Sequence, residues 1–357
     1  MYALIIAGGG GTRLWPKSKN KSPKQFLPLF FENQTLTQLT FERFQRMVSP
    51  DRIYCVTVSE DYKNEIIKEI PEFVKENIIV EPARRETGPA HALGAWVIQK
   101  IDPDAVIVTE AADRLVKPVG RYLEVLEACA QIAYEDKKLV ALGVPPLYPH
   151  TGLGHIKKGE KYKQVKDIKF FELEKFVEKP ELELAKKYTD SKEYYWNAGE
   201  FVWRADSLLS EIKTHVPEIY KNLLRIKDVK NISQIYEDMP VVSIDVGVAE
   251  KSKNFVVVHG DFSWTDVGDW KEVWENSKKD NDGNVIITGD EPGGEVINID
   301  TTDAIIHSDG RLIAAIDVDN LIIIDTKEAL LVCPKSHAQS VKKIVELLKE
   351  KNRKELL

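Results

Sequence analysis

The alternation of short apolar runs with amphipathic segments in the N-terminal part of the chain is the feature that most constrains the fold. Five runs rich in Val and Ile are apolar on both faces, and they lie at residues 3–8, 53–59, 77–82, 105–113 and 139–146. Residues 36–47 and 90–101, which lie between these runs, have the apolar periodicity of helices. Strands buried on both faces and separated by helices form parallel sheets. The sequence therefore predicts a doubly wound, Rossmann-like α/β domain.

The pattern changes after residue 150. Three stretches predict an antiparallel extension that makes the sheet mixed, and they lie at residues 151–159, 170–180 and 194–206. The first of these, TGLGHIKKG, is predicted to be a glycine-bent hairpin. Two or three helices and a further strand follow before residue 280. We therefore expect the large domain to cover residues 1–280.

The C-terminal part, residues 281–357, has a different periodicity. Short apolar strands are broken every eight to ten residues by polar turns, which predicts a small β-helix-like stack. The chain closes with a predicted amphipathic helix, whose apolar face carries Val341, Ile344, Val345 and Leu348.

Composition excludes several classes of protein. The net charge of −7 gives no basic field for nucleic acid, so we expect no nucleic-acid partner. No apolar run approaches the length that spans a membrane, and the N-terminal run is too short for a signal peptide. The three cysteines, Cys55, Cys129 and Cys333, lie far apart in apolar runs, as buried thiols do in a reducing compartment. These features together predict a cytoplasmic protein.

A glycine-rich loop follows the first predicted strand. Gly8, Gly9, Gly10 and Gly11 precede Thr12 and Arg13, so backbone N–H groups can approach a phosphate chain. A tight turn between strand and helix explains the glycines equally well. The loop lacks the Gly-Lys-Ser or Gly-Lys-Thr ending of a P-loop, and the second strand ends in serine instead of the acid of a dinucleotide fold. These absences disfavour an NAD-dependent enzyme.

Basic residues continue this loop. Arg13, Lys17, Lys19, Lys21 and Lys24 fall within twelve residues. A solvated charged surface is one interpretation of such a run. Prolines and apolar residues lie between and just after these basic residues, and they favour a loop that is docked on the protein. These residues are Pro16, Pro23, Phe26, Leu27 and Pro28.

Two aspartates are candidate metal ligands. Asp113 ends the fourth predicted strand, at the sheet edge where open α/β folds bind ligands, and Asp266 lies in the sequence WTDVGDW. A helix N-cap would equally explain Asp113, and a turn would equally explain Asp266. Mg²⁺ prefers oxygen ligands and commonly takes one or two carboxylates together with substrate phosphates.

The segment GGGGTRLWPKSKNKSPKQFL resembles the signature of the mannose-1-phosphate guanylyltransferases, within the wider sugar nucleotidyltransferase family. Further motifs follow in the family's order over roughly the first 280 residues. They are EPARRETGPA, PPLYPHTGLGHI, FVEKP, WNAGEF, SIDVGVAEKS and WTDVGDW. The resemblance implies a nucleotidyltransferase catalytic domain.

The resemblance also implies roles for individual residues. The nucleotide would be bound by Gly8, Gly9, Gly10, Gly11, Thr12, Arg13, Lys24, Thr87, Gly88 and Pro89. The sugar phosphate would be bound by Gly152, Glu178, Lys179 and Asn197. Asp113 and Asp266 would hold Mg²⁺, and Arg13, Lys24 and Lys179 would be the catalytic cations.

The reaction implied is the transfer of GMP from GTP to mannose 1-phosphate, and a homodimer is expected. The phosphate nucleophile is already anionic, so no catalytic base is required, and the sequence offers no Cys–His or Ser–His arrangement. Without the family's cupin extension, we expect transferase activity only.

Departures from the family's pattern leave the sugar open. Arg114 stands where the family usually has His, His155 where it has Tyr, and Glu200 where it has Ile. Glu200 is expected to place a charge near the sugar loop. Three other functions stay open: a transferase for another base or for heptose or glucose phosphate, a non-catalytic homologue that binds nucleotide sugar, and an NAD-dependent enzyme.

Overall fold

The apolar runs of the N-terminal part form strands in the computed structural model of the chain. The structure describes residues 1–9, 11–19, 22–30, 34–227, 232–289 and 294–357, so predictions for Gly10 and Lys21 lie outside the described residues. These residues form two compact units. The first comprises Met1–Gly8 and Thr40–Trp264, and the second comprises Gly9–Leu39 and Thr265–Leu357.

The first unit is built on strands that begin and end close to the predicted runs. They are β1 (Tyr2–Ala7), β2 (Ile53–Thr57), β3 (Ile78–Val80), β4 (Val106–Ala111), β5 (Leu115–Lys117), β6 (Leu139–Val144), β7 (His155–Val165), β8 (Ile168–Val177), β9 (Tyr194–Arg204), β10 (Phe255–His259) and β11 (Ser263–Thr265). Nine of them form one sheet in the order β3-β2-β1-β4-β9-β6-β10-β8-β7. β5 and β11 form a separate pair.

The large sheet is mixed, as predicted. β3, β2, β1 and β4 run parallel to one another, and β6 runs parallel to β10. β9 lies antiparallel between β4 and β6. Because β1 and β4 are parallel neighbours, the segments that follow them, which contain Gly8 and Asp113, leave the same edge of the sheet.

Helices connect these strands. They are α1 (Leu36–Gln45), of which residues 40–45 belong to the first unit, α2 (Glu60–Glu69), α3 (Thr87–Ile101), α4 (Val119–Asp136), α5 (Leu182–Ser191), α6 (Ala205–His215), α7 (Pro217–Arg225) and α8 (Ser233–Glu237). Ser59 caps α2 by accepting a hydrogen bond from the backbone N–H of Tyr62. The core between helices and sheet includes Leu4, Ile107 and Trp203, which are fully buried.

One predicted turn is wrong in position. Residues 151–154 form a loop that leads into β7, and the hairpin turn lies between β7 and β8 at residues 166–167. The turn had been predicted from the positions of the glycines. The prediction is wrong because the residue in the left-handed conformation at the turn is Lys166, with φ of 53°.

The second unit contains the C-terminal strands and the basic loop. Its regular elements are α9 (Trp270–Asn276), β12 (Val285–Thr288), β13 (Glu295–Ile299), β14 (Ile305–Ser308), β15 (Leu312–Ile316), β16 (Leu321–Asp325), β17 (Leu330–Pro334) and α10 (Val341–Glu350). β12, β14 and β16 are parallel neighbours, β13 pairs in parallel with β15, and β17 closes the larger sheet antiparallel to β16. The predicted β-helix-like stack and terminal helix are confirmed.

Two further predictions concern buried and membrane-spanning segments. Cys55 and Cys129 are buried as expected, whereas Cys333 is only partly buried. Within the described ranges, every helix is too short or too polar to serve as a membrane span.

Candidate active site

The predicted nucleotide-binding segment of the first unit lies at the N-terminus of helix α3. Pro89 lies in the first turn of α3, where its missing N–H removes no intrahelical hydrogen bond. Gly88 donates its N–H to Val242 O at 2.9 Å, and the Thr87 hydroxyl accepts from Ile244 N at 3.0 Å. A Cβ on Gly88 would lie 2.6 Å from Val242 O. The loop is therefore fixed against the segment that precedes Asp245.

A second cluster in the same unit contains three of the predicted sugar-phosphate residues. Lys179 Nζ lies 2.6 Å from Glu178 Oε1, and Asn197 Nδ2 donates to Asp245 Oδ1 at 2.9 Å. Gly154 accepts from Asn197 N at 2.8 Å, and a Cβ on it would lie 2.8 Å from Glu178 Oε2. The side chains of Glu178, Lys179 and Asn197 could form hydrogen bonds with a sugar and its phosphate.

Gly154, and not the predicted Gly152, is the glycine of this cluster. Gly152 instead donates its N–H to His150 Nδ1 at 2.9 Å. Its predicted contact with the sugar stays a prediction. Asp245 also belongs to this cluster and was not predicted, although it lies within the motif SIDVGVAEKS. Burial, and the nearby charge of Glu178, raise the pKa of Asp245 to about 6.

The Asp113 carboxylate lies two residues beyond the end of β4. The residues after it form β5, so the alternative of a helix N-cap is wrong. Its side chain is 14% exposed, and its Oδ1 lies 3.4 Å from Arg114 Nη1. The other carboxylate of this segment, Glu110, is fully buried and is engaged by Arg43 and Tyr122. Asp113 is thus the carboxylate of this segment that can meet a ligand.

The donor set fits Mg²⁺ better than a metal that needs a complete protein cage. Among the described residues, no group of three or more His, Cys, Asp or Glu side chains could hold an ion. A carboxylate at the carboxyl edge of a sheet supplies the hard oxygen ligand that Mg²⁺ takes, with water and substrate phosphates as the rest of its shell.

Three of the motif loops contain a non-glycine residue with a positive φ angle. Glu86 has φ of 64°, Lys179 has φ of 40°, and the β-branched Val267 has φ of 46°. Such conformations cost about 1–3 kcal/mol and concentrate at functional sites. The three residues belong to EPARRETGPA, FVEKP and WTDVGDW, whereas eight other described non-glycine residues with positive φ, among them Lys166, lie outside these motifs.

In the second unit, the glycine loop packs on Lys24. Gly11 has φ of 58°, which glycine adopts at no steric cost. It is followed by a short 3₁₀ turn at Thr12–Leu14. Lys24 is 7% exposed, and its Nζ donates to Asp266 O at 2.6 Å. Arg13 Nη1 donates to Gln339 Oε1 at 2.7 Å.

The neighbouring lysines of the loop are paired with acids of the same unit. Lys17 Nζ lies 2.6 Å from Asp309 Oδ1, and Lys19 Nζ lies 2.9 Å from Glu328 Oε2. The described part of the loop is therefore docked on the protein, as the prolines predicted, and is not a solvated charged surface.

The loop that carries Asp266 is held by the first turn of α9. Asp269 caps this helix by accepting hydrogen bonds from Lys271 N and Glu272 N. The Glu272 carboxylate accepts from the Thr265 hydroxyl at 3.0 Å. Burial, together with the negative charge of Asp266, raises the pKa of Glu272 above its usual range. Glu272 was not predicted from the sequence, because a glutamate in a first helical turn is common.

A substitution at Gly11 tests whether the loop positions Lys24. A Cβ there would lie 2.6 Å from Lys24 Cβ, and alanine is strained at this positive φ by about 1 kcal/mol. We expect Gly11→Ala to displace Lys24 and to lower the rate of nucleotidyl transfer about tenfold or more. Gly120→Ala in α4 is the matched control, since a Cβ there has nothing within 4 Å. Steady-state rates of the two variants make the comparison, and equal rates would contradict the positioning role.

Comparison with known proteins relates these sites to a family. The family profile described as nucleotidyl transferase matches residues 2–283. A second profile, described as the mannoseP isomerase/GMP-like beta-helix domain, matches residues 294–348. Together the two profiles cover the mixed sheet and the β-helix-like stack from β13 onward.

Individual proteins agree with these profiles. A mannose-1-phosphate guanylyltransferase from Salmonella montevideo is 37% identical over 99% of this chain and 74% of that protein. A mannose-1-phosphate guanylyltransferase from Escherichia coli (strain K12) is 35% identical over 99% of this chain and 75% of that protein. A crystal structure from Thermus thermophilus, described as a mannose-1-phosphate geranyltransferase, is 31% identical, with a TM-score of 0.85 over 98% of this chain and 99% of that one. The chain therefore belongs to the mannose-1-phosphate guanylyltransferases of the nucleotidyl transferase family.

Proposed function

We propose that this protein transfers GMP from GTP to α-D-mannose 1-phosphate and releases pyrophosphate. The observation that carries the proposal is the similarity to mannose-1-phosphate guanylyltransferases over 99% of the chain. The described site residues support it, because buried or docked cations and hydrogen-bonding groups lie on the motif loops. A related sugar phosphate or base is the alternative, since Arg114, His155 and Glu200 depart from the family's usual residues.

The proposed reaction needs positioning and charge balance more than proton transfer. A phosphate oxygen of mannose 1-phosphate attacks the α-phosphorus of GTP, and the bond from that phosphorus to the pyrophosphate oxygen breaks. The attacking oxygen is already anionic, so no side chain needs to remove a proton. Bringing two anionic substrates into line requires cations that are already in place.

We assign these cations by motif. Arg13 and Lys24 bind the triphosphate, with the backbone of Gly8 to Thr12 along it, and Lys179 binds the sugar phosphate. The ammonium of Lys24 is held by the Asp266 carbonyl, so little side-chain entropy is lost when a phosphate binds. Lys179 is more exposed, at 61% of its side chain, and it would move from Glu178 toward the substrate.

The remaining assignments concern the base, the sugar and the metal. Thr87, Gly88 and Pro89 bind the guanine end, whereas Glu178, Asn197 and Gly152 contact the sugar. Asp113 is the proposed Mg²⁺ ligand of the first unit, and Asp266 is the predicted ligand in the second. Mg²⁺ would supply positive charge to the triphosphate when bound. Asn197 already bonds Asp245 and Gly199, so it presents a fixed geometry to the sugar.

We further propose that residues 1–280 act as the catalytic domain and residues 281–357 as a separate β-helix domain. The homodimer is also a proposal. It is supported by the apolar side chains that β13 and β15 expose, since Ile299 and Ile316 are register partners that are 52% and 65% exposed. A cytoplasmic location is proposed on the composition and thiol content.

A substrate panel tests the proposed activity. Each nucleoside triphosphate is combined with mannose, glucose and heptose 1-phosphates in the presence of Mg²⁺, and pyrophosphate release is measured. We expect the highest kcat/KM for GTP with mannose 1-phosphate. A different best pair would replace the substrate assignment, and binding of GDP-mannose without turnover of any pair would identify a non-catalytic homologue.

A further inference from the structure

A closed ring of buried side chains lies in the first unit beside the end of β4. Its members come from α1, β4, α4, β9, β11 and the segment after β4, and we call them the Glu200 ring: Arg43, Glu110, Arg114, Tyr122, Glu200 and Trp264. Tyr122 and Glu200 are fully buried, and Glu110 is 1% exposed. Burying several ionisable groups is costly unless each is paired and hydrogen-bonded.

One half of the ring joins two carboxyl groups through a phenol. Glu110 accepts a hydrogen bond from Arg43, which fixes it as an ionised partner. Tyr122 Oη lies 2.7 Å from Glu110 Oε2 and 2.7 Å from Glu200 Oε2. The two carboxyl groups are therefore linked by a single hydroxyl.

The number of protons needed for the two contacts of Tyr122 indicates the protonation state of Glu200. A phenol donates one hydrogen bond, so Tyr122 can donate to only one of its two carboxyl neighbours. The other contact requires a proton on the carboxyl group, which then donates to the Tyr122 oxygen. Glu110 keeps its charge opposite Arg43, so the proton belongs to Glu200. Burial, and the charge of Glu110, likewise raise the pKa of Glu200 well above its usual range.

The other half of the ring leads to Asp113. Trp264 Nε1 donates to Glu200 Oε1 at 2.8 Å, and the Arg114 guanidinium carbon lies 5.2 Å from the centre of a Trp264 ring. Arg114 Nη1 then lies 3.4 Å from Asp113 Oδ1. The Arg114 carbonyl also lies 3.5 Å from Arg43 Nη2, which closes the ring.

We propose that Glu200 is a positioning residue that acts as a neutral carboxylic acid and, through Trp264, holds Arg114 beside the Asp113 carboxylate. This inference rests on the proposed function, in which Asp113 binds Mg²⁺. Arg114 and Glu200 are two of the positions that depart from the family's usual His and Ile, and both belong to this one ring. The charged or titratable groups that face Glu200 are Glu110, Tyr122 and Arg114.

Two substitutions separate a neutral hydrogen-bonding role from a charged one. In Glu200→Gln, the amide can donate to Tyr122 and accept from Trp264, so we expect kcat within about twofold of the unmodified enzyme. Glu200→Ile is apolar at a buried site and should fold, but it breaks both contacts. For this variant we expect kcat to fall about 10–100-fold and the half-saturating Mg²⁺ concentration to rise about tenfold, with little change in KM for the two substrates.

Infrared difference spectroscopy gives a readout that does not depend on activity. At neutral pH, the difference spectrum between the unmodified protein and Glu200→Gln should contain the carbonyl stretch of a protonated carboxylic acid, which the Gln variant lacks. Absence of that band, or a Gln variant as slow as the Ile variant, would overturn the inference. If the unmodified protein released no pyrophosphate, the proposed function would fail, whereas the infrared band would still decide the state of Glu200.

Discussion

Replacing Asp113 with alanine is expected to lower the rate of pyrophosphate release on the order of 10³-fold while the fold remains intact. The side chain is polar and lies beside Arg114, so its removal takes no apolar surface from the core. What it removes is the carboxylate at the end of β4 that we assign to Mg²⁺. A coupled pyrophosphate assay over a range of Mg²⁺ concentrations measures the effect, and thermal unfolding checks the fold.

Asp167→Ala is the matched control for this change. Asp167 is also paired with an arginine of the first unit, since Arg121 Nη2 lies 2.6 Å from its Oδ2, but it is 69% exposed in the turn between β7 and β8. We expect turnover to stay unchanged in this variant, because an exposed ion pair contributes little. If Asp113→Ala turned over at a near-normal rate, the metal assignment would have to be abandoned.

Replacing Lys24 with methionine is expected to lower the rate of transfer about 10²–10³-fold. Methionine keeps the aliphatic stem that packs against Gly11, so the loop should remain folded, while the ammonium that donates to Asp266 O is lost. In the proposed reaction this ammonium balances charge on the triphosphate. Rates at saturating and at low GTP separate an effect on chemistry from one on nucleotide affinity.

Lys19→Ala provides the comparison for Lys24. It removes a lysine of the same basic run, but one whose side chain is 21% exposed and paired with Glu328. We expect its rate to stay within about twofold of the unmodified enzyme. Equal losses in the two variants would show that the run contributes only its overall charge, and this would refute a specific role for Lys24.

The elements of the fold were largely predictable. A run that is apolar on both faces needs cover on both sides, so the five N-terminal runs specified buried strands without any knowledge of their neighbours. The ends of those strands shifted by one or two residues, as with β4, which ends at Ala111 instead of Asp113. The hairpin turn was misplaced, because Lys166 and not a glycine adopts the left-handed conformation.

The candidate site was predictable only where motifs carried it. Lys179, Glu178 and Asn197 were found through FVEKP and WNAGEF, and the structure places them near one another or near a shared neighbour. Asp245 was missed, because a single aspartate in an apolar segment has no pattern that separates it from a surface residue. Its burial and its bond to Asn197 depend on how the segment before β10 packs.

Glu200 shows the limit of local interpretation most clearly. The sequence suggested a charge near the sugar loop, whereas its hydrogen bonds go to Tyr122 and Trp264 in a buried ring. Successive residues of a strand point to opposite faces, so a motif shared along β9 serves different surroundings on each side. Which surroundings those are depends on α4 and β11, which lie far away in the sequence.

By itself, the sequence determined the α/β architecture and the β-helix-like stack, and its motifs marked the loops to which we assign the chemistry. These follow from apolar periodicity, from glycine and proline, and from motifs that are local in the chain. Only the tertiary structure decided that Asp113 is not a helix cap, that Gly154 and not Gly152 contacts the cluster around Glu178, and that Glu200 is buried between Tyr122 and Trp264. The physical reason is that burial, hydrogen-bond partners and protonation depend on groups distant in sequence, and packing alone brings those groups together.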